Sequence, residues 1–292
     1  MKKTTKIWVG LGAFMIAGSG GAPVTPADAA ALETGSAVLA NPALSGSVQS
    51  KPALMSSGAA IVLAQAQGGE GEGGGEGGID VAAADKDPVQ YTVALQVIAA
   101  HYYAGFAAYE AKETEAGAQM FAHGLAEIYV EMEDIFKRRG VTGLGTALQE
   151  AVDAAAAKKP VADVRKLYEA VLAQVKAAET SAPESSMTPL DVKTKVIADL
   201  LNRAAAQYAA SQNDKALEPY LDGLGFATAA DKEAAAVLPA LRKSDKKKAD
   251  AIKAVLDLAK TAYPGIKRPA ASKVAPAKFL AAASAAQLAV SH

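Results

Sequence analysis

The chain contains no cysteine. That absence excludes a disulfide framework, a thiolate metal site and lipid attachment through cysteine, so the fold must be held by its apolar core. Aromatic residues make up only 5% of the chain, tryptophan occurs once and histidine three times. Neither charge sign dominates, with 30 basic against 31 acidic residues. No aromatic or glycine-bearing recognition motif accompanies the lysines, which argues against a nucleic-acid partner. Beyond the amino terminus no stretch approaches the roughly 20 apolar residues of a membrane span, so an integral membrane protein is not expected. Catalytic signatures are missing too: there is no nucleophile elbow, phosphate loop, H-E-x-x-H helix or serine triad. Gly143-Leu144-Gly145 lacks the strand and the further glycine of a dinucleotide site. The expectation is a protein that is not an enzyme.

Hydrophobic residues reach 51% of the 292, enough to bury a sizeable core. Residues 1–29 have the layout of a secretory signal peptide: Lys2, Lys3 and Lys6, an apolar run from Ile7 to Ala17, then Ala27-Asp28-Ala29 as a small-x-small cleavage pattern. A second such pattern, Ala64-Gln65-Ala66, leaves the mature start near residue 30 or near residue 67. The implied location is periplasmic or secreted. Residues 30–86 read as a disordered linker rich in Ala, Ser, Gly and Glu, with Gly68 to Gly78 of low complexity. Charge is unevenly spread. Residues 70–150 hold fourteen acidic against five basic side chains, net −9, whereas 242–292 hold eleven basic against three acidic, net +8. An acidic front and a basic tail suit self-association or an envelope partner.

From Asp87 onward the pattern is helical. Asp87-Pro88 is an N-cap followed by proline at the first helical position, opening a helix over 89–111. Thr114 is read as the cap of a second helix, which Lys137-Arg138-Arg139-Gly140 closes with basic residues and a glycine. Further helices are expected over 144–157, 161–179, 188–210, 214–224, 228–241 and 245–262, with a short amphipathic segment from Lys278 to Val290. Strand signals are nearly absent. The fold class is therefore all-α, a helical bundle.

The bundle reads as a duplication. Val97-Ile98-Ala99 recurs as Val196-Ile197-Ala198, Tyr109 as Tyr208, and Gly124-Leu125 as Gly223-Leu224, all at an offset of 99 residues. Two units follow, 87–180 and 188–263, with 264–292 as a basic Pro/Ala-rich tail; they form either two packed bundles or one bundle made of both halves. Two histidines lack a mate: His101 aligns with Leu200 and His123 with Asp222.

Those histidines carry the chemistry. On a helical wheel His101 lies with Ala94, Val97, Ile98 and Gly105, opposite Thr92, Gln96, Tyr103 and Glu110, so it is expected to be buried. A buried imidazole needs a hydrogen-bond partner or an ion. His123 falls on the polar side of its helix beside Glu127 and Glu131, and His123 with Glu127, four apart, offers two ligands to zinc, copper or iron. An exposed His/Glu pair is the plain alternative. The candidate metal ligands are thus His101, His123, Glu127 and Glu131, with Tyr102 and Gly105 as pocket residues.

The helix pair bearing His101, Tyr109, His123 and Glu127, with Tyr208, Glu218-Pro219-Tyr220, Gly223 and Phe226 in the second unit, resembles secreted all-helical proteobacterial envelope proteins. It also weakly resembles the helical periplasmic extension of bacterial iron permeases. The resemblance implies an envelope protein that handles a transition metal or haem; no haem attachment motif or regular series of carboxylate motifs accompanies it. The leading expectation is non-catalytic binding of a transition metal or haem, and its rival is a structural or protein-interaction module with no ligand.

Overall fold

The computed structural model describes residues 78–214 and 216–292. The expected signal peptide and most of the expected linker lie outside them. The described residues contain helices and no strand. In order these are α1 (Val81–Ala84), α2 (Pro88–Glu110), α3 (Thr114–His123), a π-helical turn (Gly124–Tyr129), α4 (Val130–Arg138), α5 (Leu144–Ala156) and α6 (Val161–Ala178). After a 3₁₀ turn (Glu179–Ser181) come α7 (Pro189–Asn213), α8 (Glu218–Ser244), α9 (Lys246–Ala262) and α10 (Pro276–Ser291). No described helix is long and apolar enough to cross a membrane.

Local chemistry starts these helices where the sequence places the caps. Asp87 accepts from the Val89 amide at 2.8 Å and Pro88 supplies the first helical residue of α2. Thr188 accepts from the Asp191 amide at 3.1 Å, with Pro189 in the same role for α7. Gly140 adopts φ +74, the left-handed conformation that ends α4 without a Cβ penalty. Thr114 departs from expectation: the N-cap position is Glu113, and Thr114 donates to Glu115. The end of the expected linker is also ordered, since Asp80 caps α1 through the Ala83 amide at 2.9 Å and Ile79 is buried.

Helix α2 is the axis of the assembly. It packs against α3, α6, α7 and α8, so even Thr92 and Gln96, assigned by the wheel to a polar face, are buried. Gln96 is satisfied there by donating to Glu179 Oε1 at 2.7 Å and Glu233 Oε1 at 3.2 Å. Lys193 Nζ bridges the same two carboxylates at 2.6 and 2.7 Å. Because most of this helix is enclosed, a polar side chain such as Gln96 does not mark a solvent face; it marks a partner from another helix.

Residues from 87–180 and from 188–263 enter one continuous core, so the described helices form a single bundle. Two expected helices, 214–224 and 228–241, are one helix, α8. The glycines within it, Gly223 and Gly225, face other parts of the protein at distances that admit no side chain, and tertiary contact overrides their poor propensity. The segment around Lys278 to Val290 is docked: as α10 it packs on α7 and α9 and buries Phe279, Ala283, Ala286 and Val290.

Candidate metal centre

The site is positioned by a close helix crossing. A Cβ on Gly105 would lie 2.6 Å from the Phe121 ring and 2.9 Å from the Gly117 carbonyl oxygen, and one on Gly117 would lie 2.7 Å from the Gly105 carbonyl oxygen. With both positions glycine, α2 and α3 meet backbone to backbone. Nearer the site, Gly124 abuts His101 Cβ and the Tyr102 ring. This close approach levels His101 and His123, whose ring centroids lie 6.2 Å apart.

The opposite wall comes from α8, whose first turns cross α2. His101 Nε2 lies 3.6 Å from Asp222 Oδ1. His123 Nδ1 lies 3.5 Å from Glu218 Oε1 and 3.6 Å from Glu127 Oε1. Phe226, one turn after Asp222, meets the His101 ring edge to face at 6.2 Å. A cavity of about 280 Å³ opens here, lined among others by His101, His123, Glu127, Glu218, Asp222 and Phe226. Among the described residues, one group of three His, Cys, Asp or Glu side chains converges well enough for a metal ion: His101, His123 and Asp222, with one donor atom of each lying within 4.8 Å of the others.

The protonation state of His101 is fixed by its surroundings. Burial holds its pKa down at about 4; the hydrogen bond to Val97 works the other way, while His123 and Arg203 add to the lowering. The imidazole is neutral at pH 7. Its Nδ1–H donates to the Val97 carbonyl oxygen at 2.8 Å, so Nε2 carries the lone pair. Nε2 faces Asp222 across 3.6 Å, too far for a hydrogen bond. Two donors at this spacing subtend about 120° at an ion bound by bonds of roughly 2.0–2.1 Å, near tetrahedral geometry. The widest donor pair lies within 4.8 Å, whereas two such bonds span at most about 4.2 Å, so an ion would have to draw the donors together.

Of the residues expected from sequence, His101, His123 and Glu127 meet at this cavity. His101 is 4% exposed, as the wheel indicates, and His123 is 18% exposed because α8 covers the face that a two-layer arrangement leaves to solvent. Glu131 is not among the lining residues. Tyr102 and Gly105 do not line the cavity either. Tyr102 stacks on Phe121 at 4.4 Å and donates its hydroxyl to the Leu148 carbonyl oxygen at 3.1 Å, while Gly105 belongs to the helix crossing. Sequence reasoning misses Asp222 and Glu218. A signal for them exists: Asp222 stands 99 residues after His123, and Glu218 stands 99 after Gln119, whose Nε2 donates to Glu218 Oε2 at 3.1 Å. Both contacts join residues at the 99-residue offset seen in the sequence.

Comparison of this chain with protein-family models, with curated proteins and with solved structures finds no match.

Proposed function

We propose that this chain is an exported, non-catalytic protein of the bacterial envelope that binds one divalent transition-metal ion between the halves of a duplicated helical bundle. His101, His123 and Asp222 are the protein ligands. The reading is carried by one observation: the buried His101, its Nδ1–H held by Val97, turns Nε2 toward the Asp222 carboxylate at 3.6 Å, with a donor atom of His123 within 4.8 Å of both residues' donors. Two imidazoles and a carboxylate suit zinc, iron(II), cobalt(II), nickel(II) or copper(II), whereas a copper(I) site would call for thiolate or thioether donors.

Haem fits the cavity poorly. Its volume of about 280 Å³ sits below the range of roughly 300–1,000 Å³ usual for organic ligands, and Glu127, Asp214, Glu218 and Asp222 would repel a second set of carboxylates.

Titration of metal-free protein with zinc and with cobalt(II) tests the reading. The expected result is one ion per chain and a melting temperature that rises with the metal, by about 2.7 kcal/mol of added stability at one hundred times Kd. Asp222→Asn is expected to weaken binding strongly while the metal-free protein still folds. A melting temperature indifferent to zinc, cobalt, nickel, copper and iron would overturn the proposal.

A further inference from the structure

His123 presents Nδ1 to two carboxylates, Glu127 one turn further along its own helix and Glu218 in the first turn of α8. We infer that Glu127 and Glu218 are positioning residues that hold the His123 Nδ1–H, so that Nε2 is the nitrogen offered to the metal; neither glutamate is itself a ligand. The inference rests on the metal-binding reading above and deepens it.

Only the neutral form of an imidazole can ligate a metal, and that form carries one N–H and one lone pair. With two anionic oxygens 3.5 and 3.6 Å from Nδ1, the tautomer that places the proton there is favoured, because the alternative sets a lone pair against two carboxylates. Metal-bound histidines commonly give their other N–H to a carboxylate or carbonyl oxygen, which fixes the ring and raises the basicity of the liganding nitrogen. His101 already shows that arrangement, with Nδ1–H on Val97 and Nε2 turned to Asp222. Glu218 is oriented for this role by Gln119, which takes Oε2 at 3.1 Å and leaves Oε1 toward His123. Coordination at Nε2 would make the Nδ1–H a stronger donor to one of the two carboxylates, shortening spacings that are too long for a hydrogen bond without metal.

Two measurements on the full chain, wild type and with Glu127→Gln, Glu218→Gln or both, decide the matter. Nitrogen NMR of isotope-labelled, metal-free protein reads the His123 tautomer. Cobalt(II) titration with X-ray absorption reads affinity, stoichiometry and the number of nitrogen and oxygen neighbours. The expected results are an Nδ1–H tautomer in the wild type and a tautomer mixture in the double variant. Each single variant should bind cobalt about 10–100-fold more weakly, with unchanged neighbour count and one ion per chain. A lost oxygen neighbour would make the glutamates ligands and overturn the inference, as would a wild-type Nε2–H tautomer. Wild-type protein that binds cobalt while its glutamate variants bind equally well sinks this inference alone. Wild-type protein that binds no cobalt sinks the metal reading and this inference together.

Discussion

Gly225 lies against the backbone of Ala100: a Cβ built on it would sit 2.4 Å from the Ala100 carbonyl oxygen and 2.9 Å from the carbonyl carbon. Contact at that distance is with main chain, which does not swing aside as a flexible side chain would. Asp222 stands three residues earlier on the same helix, so the glycine sets how near the carboxylate comes to His101.

Gly225→Ala is therefore expected to lower both stability and metal affinity. Alanine gains about 1 kcal/mol of helix propensity over glycine, but overpacking costs about 1–3 kcal/mol, and here the obstacle is rigid. A lower denaturant midpoint together with weaker zinc binding would bear this out. A variant more stable than the parent with unchanged affinity would show that α8 does not need this close approach.

The metal-free protein should lose stability in mild acid through His101. Burial holds the folded pKa near 4, below the ordinary value of 6.5. Between those values the unfolded chain binds a proton that the native protein does not, so the contribution is fully present above about pH 6.5 and falls by up to about 3 kcal/mol as pH approaches 4. The groups facing the ring are His123 from α3, Asp222 from α8 and Arg203 from α7. His101→Leu, which copies the residue at the matching position of the second half, should flatten this slope in urea unfolding measured from pH 7 to pH 4. An unchanged slope would locate the acid sensitivity elsewhere.

Tyr102→Phe separates packing from binding. It removes one buried hydroxyl donated to Leu148 and keeps the ring stacked on Phe121, so a cost of about 1 kcal/mol and a fall in melting temperature of a few degrees are expected. Zinc affinity should stay within about twofold, since a small stability change away from the donors leaves the binding equilibrium nearly untouched. A large loss of affinity would return Tyr102 to the site.

Lys193→Met tests the polar cluster around Gln96. Without the ammonium, Glu179 and Glu233 face each other across the Gln96 amide, at an expected cost of about 1–3 kcal/mol. Adding Glu179→Gln should recover part of it, because one of the two like charges is then gone. If the double variant is no more stable than the single one, like-charge repulsion is not the source of the loss.

Much of this architecture is legible in the sequence where the signal is local. Asp87-Pro88 and Thr188-Pro189 start helices because the cap and the fixed φ lie within a few residues of each other. The burial of His101 follows from the apolar residues sharing its helix face. The π-helical turn after His123 is not legible, since nothing in Gly124-Leu125-Ala126-Glu127 distinguishes it from ordinary helix before α2 and α5 press on it. Gln96 misleads for a related reason: its polarity points to exposure, whereas the carboxylates that satisfy it come from distant segments. The site is half visible. His101, His123 and Glu127 sit on adjacent helical segments, but Asp222 and Glu218 arrive from α8, and only the 99-residue correspondence links them to the first half.

That division gives the donor set an order of assembly. His101 and Asp222 are separated in the chain by the whole of α3 to α7, so a partly synthesised or partly threaded polypeptide has no site to fill. On the proposed reading, an ion is bound only after α8, which carries Asp222, has docked. If it binds metal as proposed, the ions present where folding finishes, and not those met by the growing chain, decide what this protein carries.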